Sequence, residues 1–221
     1  MSRVLPILFN TDMVRAIMDG RKTVTRRLIK PQQLIGILPD KPKNGTPEEF
    51  LKEKKHMFKP YCDMTDAELI KTSYNPPYQL GDILYVRETW SPVFVVPRRY
   101  LYKVGCKEAE NMPIKWHPSI HMPKKAARIW LNVKDVRVER LQEITEEQAY
   151  DEGTDPWDDA CYENNGWHPT LSDPDSGGNP NIIDGFRKLW DSTIKKSDLD
   201  RYGWDANPWV WAIEFERCEK P

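Results

Sequence analysis

The sequence predicts an α+β fold: a mixed β-barrel of five to six strands with short flanking helices and long loop insertions. Three observations predict it. Strand signals are spread along the whole chain instead of alternating with long helices, which argues against a doubly wound sheet. The helical stretches are short. The longest strand signal, Ala127 to Leu141, changes parity midway, as a strand bending to close a barrel would.

Taken in order, Arg3 to Phe9 reads as a short strand. Pro6 inside it has no N–H to give a ladder, so the strand belongs at an edge or a barrel seam. Asn10 or Thr11 can cap a helix whose apolar face is Met13, Val14, Ile17 and Met18. Gly20 falls where a left-handed glycine would end it. From Arg21 to Ile29 the β-branched Thr23, Val24 and Thr25 favour a strand. Residues 31–80 read as an insertion with helical content near Pro47–Lys55, closed by Pro76-Pro77. After the Gly81-Asp82 turn, Ile83 to Val86 is apolar at every position, as a strand buried on both faces would be.

Tyr100 to Val104 is a further strand candidate, and residues 105–125 are irregular. In the long strand, Ile129, Leu131 and Val133 share one parity and Val136 and Val138 the other, so the register slips near Lys134-Asp135. Thr145-Glu146-Glu147-Gln148 is a capping-box pattern, opening a helix that Gly153 stops. A second long insertion spans about 154–183. Phe186, Leu189, Trp190 and Ile194 mark a helical face. The chain closes on a strand in which Trp209, Trp211, Ile213 and Phe215 alternate with Val210, Ala212 and Glu214. Residues 1–221 are therefore read as one domain, with insertions at about 31–80, 105–125 and 154–183.

Composition excludes several classes of function. With 33 basic and 34 acidic residues the net charge is −1, so any nucleic-acid partner must be met by local clustering. Cys62, Cys106, Cys161 and Cys218 lie far apart with no C-x-x-C pair, which speaks against zinc and against a disulfide framework. His117 and His121 are four apart, but Pro118 and Pro123 deny them a helical metal face. No metal and no cofactor is expected. No apolar run reaches the length of a membrane span, and the N-terminus lacks the apolar region of a signal peptide, so a cytoplasmic protein without membrane association is expected. Most of the 19 prolines gather in the polar stretches 31–80, 92–125 and 156–180, and a mean hydropathy of −0.72 fits a small core dressed with such loops.

The densest basic cluster is Arg21-Lys22-Thr23-Val24-Thr25-Arg26-Arg27, four cations and two hydroxyls in seven residues. Arginines here offer bidentate donors to phosphate, and the neighbouring cations disfavour the charged form of Lys22, freeing its amine as a base. The plainer reading is a solvated strand edge that discourages aggregation. Arg87 and Glu88, at the end of a buried strand, line a cleft or form a structural ion pair. Trp90 and Trp116 stack on a base or pack on the core. Glu152, at the end of the capped helix, has a solvated helix-face carboxylate as its plainer reading.

Together these pieces resemble the ASCH family, similar in fold to the PUA RNA-binding domains. The residues that carry the resemblance are Asp19 to Arg27, Gly81 to Trp90, Thr145 to Ala149 and Trp209 to Phe215. The order looks like the longer bacterial and prophage members. The resemblance implies a PUA-like barrel, a cleft beside Gly20 to Arg27, and RNA or a modified nucleoside as partner. Arg21, Arg26, Arg27, Arg87, Glu88, Trp90 and Trp116 are then the nucleotide- or RNA-binding set. One branch of the family hydrolyses the N4-acetyl amide of acetylated cytidine with a lysine, a threonine and a glutamate, which match Lys22, Thr25 and Glu152. Within a flat strand Lys22 and Thr25 face opposite ways; sharing a face requires Lys22 to lie in the turn after Gly20. The competing expectation is a phage-encoded, non-catalytic RNA-binding or protein-interaction module whose Trp- and Pro-rich insertions are the working surface.

Overall fold

The computed structural model of the chain describes residues 2–30, 46–54, 64–93, 99–106, 113–154 and 182–221. Much of the expected insertions (31–45, 55–63, 107–112 and 155–181) therefore lies outside the described residues. The chain divides into two compact units. The first comprises Met1–Thr23, Gln79–Asp135 and Glu214–Pro221; the second comprises Val24–Tyr78 and Val136–Ile213.

The first unit opens on β1 (Val4–Leu8), which pairs in parallel with β3 (Ile83–Arg87) in the register Val4 to Ile83 through Leu8 to Arg87. Asp82 pins the start of both strands: its carboxylate accepts from the Arg3 side chain and backbone N–H and from the Gln79 N–H. Helix α1 (Thr11–Met18) follows β1. The Asn10 side chain accepts from the Met13 N–H at 2.8 Å, satisfying one of the free first-turn donors. Its other end is a Schellman closure: the Gly20 N–H donates to Ile17 O and the Arg21 N–H to Ala16 O, with Gly20 at φ +79°. A ribbon of β4 (Trp90–Val93) and β5 (Arg99–Tyr102) pairs antiparallel, apart from the main sheet. Trp90, Met122, Ala126, Ala127 and Trp130 form a core cluster in this unit.

The second unit holds β2 (Val24–Leu28) and the helices α2 (Pro47–Lys54), α3 (Asp66–Ser73), α4 (Glu146–Asp151), α5 (Ile182–Thr193) and α6 (Leu199–Tyr202). Helix α3 falls within a stretch expected to be mainly loop. Thr65 and Glu68 cap it reciprocally, and Tyr74 meets Phe50 of α2 edge-on at 5.7 Å, both rings buried. Leu141, Ile144, Ala149, Phe186, Trp190 and Val210 form this unit's core cluster.

Two strands belong to both units. The chain passes from the first unit to the second within β6 (Trp130–Arg140), between Asp135 and Val136, and back within β7 (Trp209–Cys218), between Ile213 and Glu214. In β6, Leu131 and Val133 are buried before that passage and Val136 and Val138 after it, with Lys134 exposed between. The parity slip read from the sequence is thus real, and it marks the unit boundary.

The main sheet has five strands in the order β1-β3-β6-β7-β2. Among the described residues it does not close into a barrel: β1 and β2 are its edges, and β5, counted from the sequence toward a closed wall, pairs instead with β4, a strand the sequence reading did not include. Pro6 does sit on an edge strand, where its missing N–H costs no central ladder bond. The expectation that β3 is buried on both faces is also corrected. Leu84 and Val86 are buried while Ile83, Tyr85 and Arg87 are half-buried, because one face of β3 meets only partial cover. Among the described residues no helix is long and apolar enough to cross a membrane.

Candidate functional site

Burial is the first guide to where chemistry sits, because charged and polar side chains are rarely buried without a reason. Of the nine polar or charged residues buried among the described residues, five are ones the sequence singles out: Lys22, Thr25, Arg26, Glu88 and Glu152.

In the second unit Arg26 and Glu152 belong to one compact centre. Arg26 on β2 has a fully buried side chain. Its Nη1 donates to Glu152 Oε1 at 3.2 Å, and its Nη2 donates to Glu139 Oε2 at 2.9 Å and to Gln148 Oε1 at 2.8 Å. The guanidinium lies over the Phe186 ring, 6.0 Å from its centroid. Arg137 adds a second cation, its Nε donating to Glu139 Oε1 at 3.0 Å. Glu152 is the C-terminal cap of α4 and only 3% exposed, so it is not the solvated helix-face carboxylate of the plainer reading. Gln148 belongs to the capping box with Thr145 and serves Arg26 as well. Thr25, one residue before Arg26, is 3% exposed. Burial lowers the Arg27 guanidinium from its ordinary value, and Tyr78 and Glu152 act against that; it remains a cation.

The first unit holds the other pieces. Strand β2 begins only at Val24, so Lys22 does lie in the turn after Gly20, its N–H donating to Ala16 O. The Lys22 side chain is buried, with its Nζ 5.6 Å from the centre of the Phe9 ring. Phe9 in turn rests on Phe215, with centroids 6.1 Å apart. Arg21 pairs with Asp19 at 3.4 Å. The basic run is therefore not one open positive face: Arg21 and Arg26 each meet an acid of their own unit.

Glu88 is buried and held by Arg128 in a two-bond fork, Nε to Oε1 and Nη2 to Oε2 at 2.8 Å each. Arg128 also donates to Val104 O and stacks 4.2 Å from the centre of the Tyr102 ring, whose hydroxyl donates to Ala126 O. Arg87 donates to Met122 O at 2.8 Å. Trp90 is packed in the core cluster between Tyr100 and His117, 5.7 and 5.5 Å away, and exchanges backbone bonds with His117. Trp116 is half-buried on the loop before that bridge. Sequence reading misses Arg128, Glu139 and Gln148 as partners; none is near its partner in sequence, and only the capping-box glutamine carries a local signal. Among the described residues no group of three or more His, Cys, Asp or Glu is placed to hold a metal ion.

An ASCH-domain structure aligns with this chain. It comes from Lactobacillus crispatus JV V101 and covers 97% of this chain and 79% of its own, at 10% identity and a TM-score of 0.34. No protein-family model and no curated protein matches the sequence. At that distance, what the chain does has to be argued from its own side chains.

Proposed function

We propose that this chain is an ASCH-type domain that recognises a nucleoside or an exposed base of RNA and hydrolyses the N4-acyl amide of an acylated cytidine with Lys22, Thr25 and Glu152. The observation that carries the reading is the burial of those three side chains: a lysine, a threonine and a glutamate at 2%, 3% and 3% exposure. Enclosed groups of this kind hydrogen-bond a polar heterocycle and act in a site from which water is excluded.

The chemistry balances without a metal. The Thr25 hydroxyl oxygen attacks the acyl carbon while its proton passes to the neutral amine of Lys22. Collapse breaks the bond to N4, and Lys22 returns the proton to the leaving amine of cytidine. Water then cleaves the acyl–threonine ester by the same proton route, releasing the carboxylic acid. Glu152 accepts a hydrogen bond from the exocyclic N–H and so orients the base. Arg21 and Arg26 are engaged with acids, which favours recognition of the base over a long phosphate backbone; salt dependence of binding should then be shallow.

The test is incubation with N4-acetylcytidine and chromatography for cytidine. Release by the wild type, lowered about 10²-fold or more in Lys22→Ala, is expected. No release, or full release by Lys22→Ala, overturns the reading.

A further inference from the structure

Arg26 has two obvious uses in an acyl-transfer site: touching the developing oxyanion, or acting through another group. Its side chain is fully buried, and both terminal nitrogens are engaged with protein acceptors. Its Nε is buried too, with no acceptor among the described residues. A guanidinium whose two terminal nitrogens are already taken by protein acceptors is badly placed to meet a substrate and well placed to fix its neighbours.

The neighbours it fixes lie on one helix. Gln148 and Glu152 are four residues apart, hence on the same face one turn apart, and Arg26 donates to both. One grip is at the capping box of α4 and the other at its C-terminal cap. Glu152 needs that second grip. The carbonyl end of a helix repels a carboxylate, so local structure alone would turn the Glu152 side chain away to solvent. The fork is completed by Glu139 on β6, and the guanidinium face rests on Phe186. Rotating the guanidinium plane would break all three bonds.

We infer that Arg26 is a positioning residue for Glu152: it sets the distance and direction of that carboxylate through a rigid fork and does not itself touch the substrate. This rests on the amidohydrolase reading above. A lysine cannot replace it, because an ammonium is a point charge without the planar fork.

The experiment measures kcat and KM for N4-acetylcytidine in the wild type, Arg26→Lys, Glu152→Gln and the double variant, with thermal midpoints in parallel. Arg26→Lys should lower kcat about 10²-fold with KM nearly unchanged, the size expected for a misplaced catalytic group. The double variant should be no slower than Glu152→Gln alone, because Arg26 acts through that carboxylate. Wild-type kcat in Arg26→Lys, or losses that multiply in the double variant, overturns the inference. Should Arg26→Lys not fold, Gln148→Met removes one of the two grips on α4. A several-fold fall in kcat at constant KM then supports the inference, and unchanged kcat overturns it. If the wild type releases no cytidine, the amidohydrolase reading fails and the positioning role with it. If it does and the losses multiply, only the positioning role fails.

Discussion

Each unit buries an arginine–glutamate centre on an aromatic ring, and the two are built to different proportions. In the first unit one cation meets one anion: Arg128 forks onto Glu88, stacks on Tyr102 and keeps 29% of its side chain exposed. That pair is closed and neutral. In the second unit one wholly buried cation is shared by two carboxylates and an amide, and Glu139 accepts from a further arginine, Arg137. A neutral closed fork is what a fold needs to tie a loop to a strand. A shared guanidinium holding two acids on different elements is a more expensive arrangement, since each buried charge must be compensated. The contrast sets a closed clamp beside the centre for which the positioning role of Arg26 is proposed.

The largest expected effect breaks the second centre. Arg26→Met leaves Glu139 and Glu152 without their shared cation in a buried setting, and should destabilise by about 3–5 kcal/mol. Urea unfolding followed by tryptophan fluorescence measures it. Next comes the first centre. Arg128→Ala takes both fork bonds from Glu88, but the arginine is partly exposed and water can enter, so about 2 kcal/mol is expected by the same method. Equal losses at the two sites would mean that the two centres do not differ as clamp and shared-cation centre.

The second centre was the harder one to read from sequence, and the reason is separation along the chain. The acceptors of Arg26 lie 113, 122 and 126 residues away, on β6 and at α4, and no local pattern announces such pairs. Glu88 and Arg128 are 40 apart, with the same result. What depends on neighbours in sequence was legible: the Asn10 cap, the left-handed Gly20, the Thr145 capping box and the parity slip at Lys134-Asp135. Helix α3 was missed because polar residues flank only two fully buried apolar ones, Leu69 and Ile70. The barrel was wrong because closure depends on which strands pair, and β5 pairs with β4 in a ribbon apart from the main sheet. The motif Gly20 to Arg27 drew attention to Lys22, Thr25 and Arg26 by charge and hydroxyl content; it revealed neither that all three are buried nor that two of its cations face acids.

A third prediction concerns Asp82, where the first unit ties its N-terminal strand. Burial pushes this carboxyl up. The Arg3 side chain, the Gln79 N–H and the Arg3 N–H pull it further down, so it sits below the usual carboxylate range. A carboxyl held low in the folded state binds fewer protons than in the unfolded one. It therefore contributes stability that is present above its unfolded value of about 4 and lost as pH falls through its lower folded value. Asp82→Asn should flatten the fall in stability in that acid window and leave the neutral-pH comparison of the two arginine centres in place. Urea midpoints from pH 2 to pH 7 read this; an unchanged acid slope would mean that Asp82 is not the group that titrates.

The smallest expected effect lies at Gly20, where α1 ends and the chain turns toward β2. Its φ of +79° is left-handed, and a Cβ built there meets nothing within 4 Å. The cost of Gly20→Ala is therefore conformational alone, about 1 kcal/mol, with no clash to add. Because Lys22 N–H bonds to Ala16 O within the same closure, relaxing Gly20 also loosens the backbone that carries Lys22. The variant sharpens the comparison by separating backbone from charge. Stability should fall by that small amount, while N4-acetylcytidine turnover should fall more steeply than in Arg128→Ala, although Arg128→Ala is the less stable protein. A turnover that simply follows stability across both variants would place the Lys22 turn on the structural side, with Arg128.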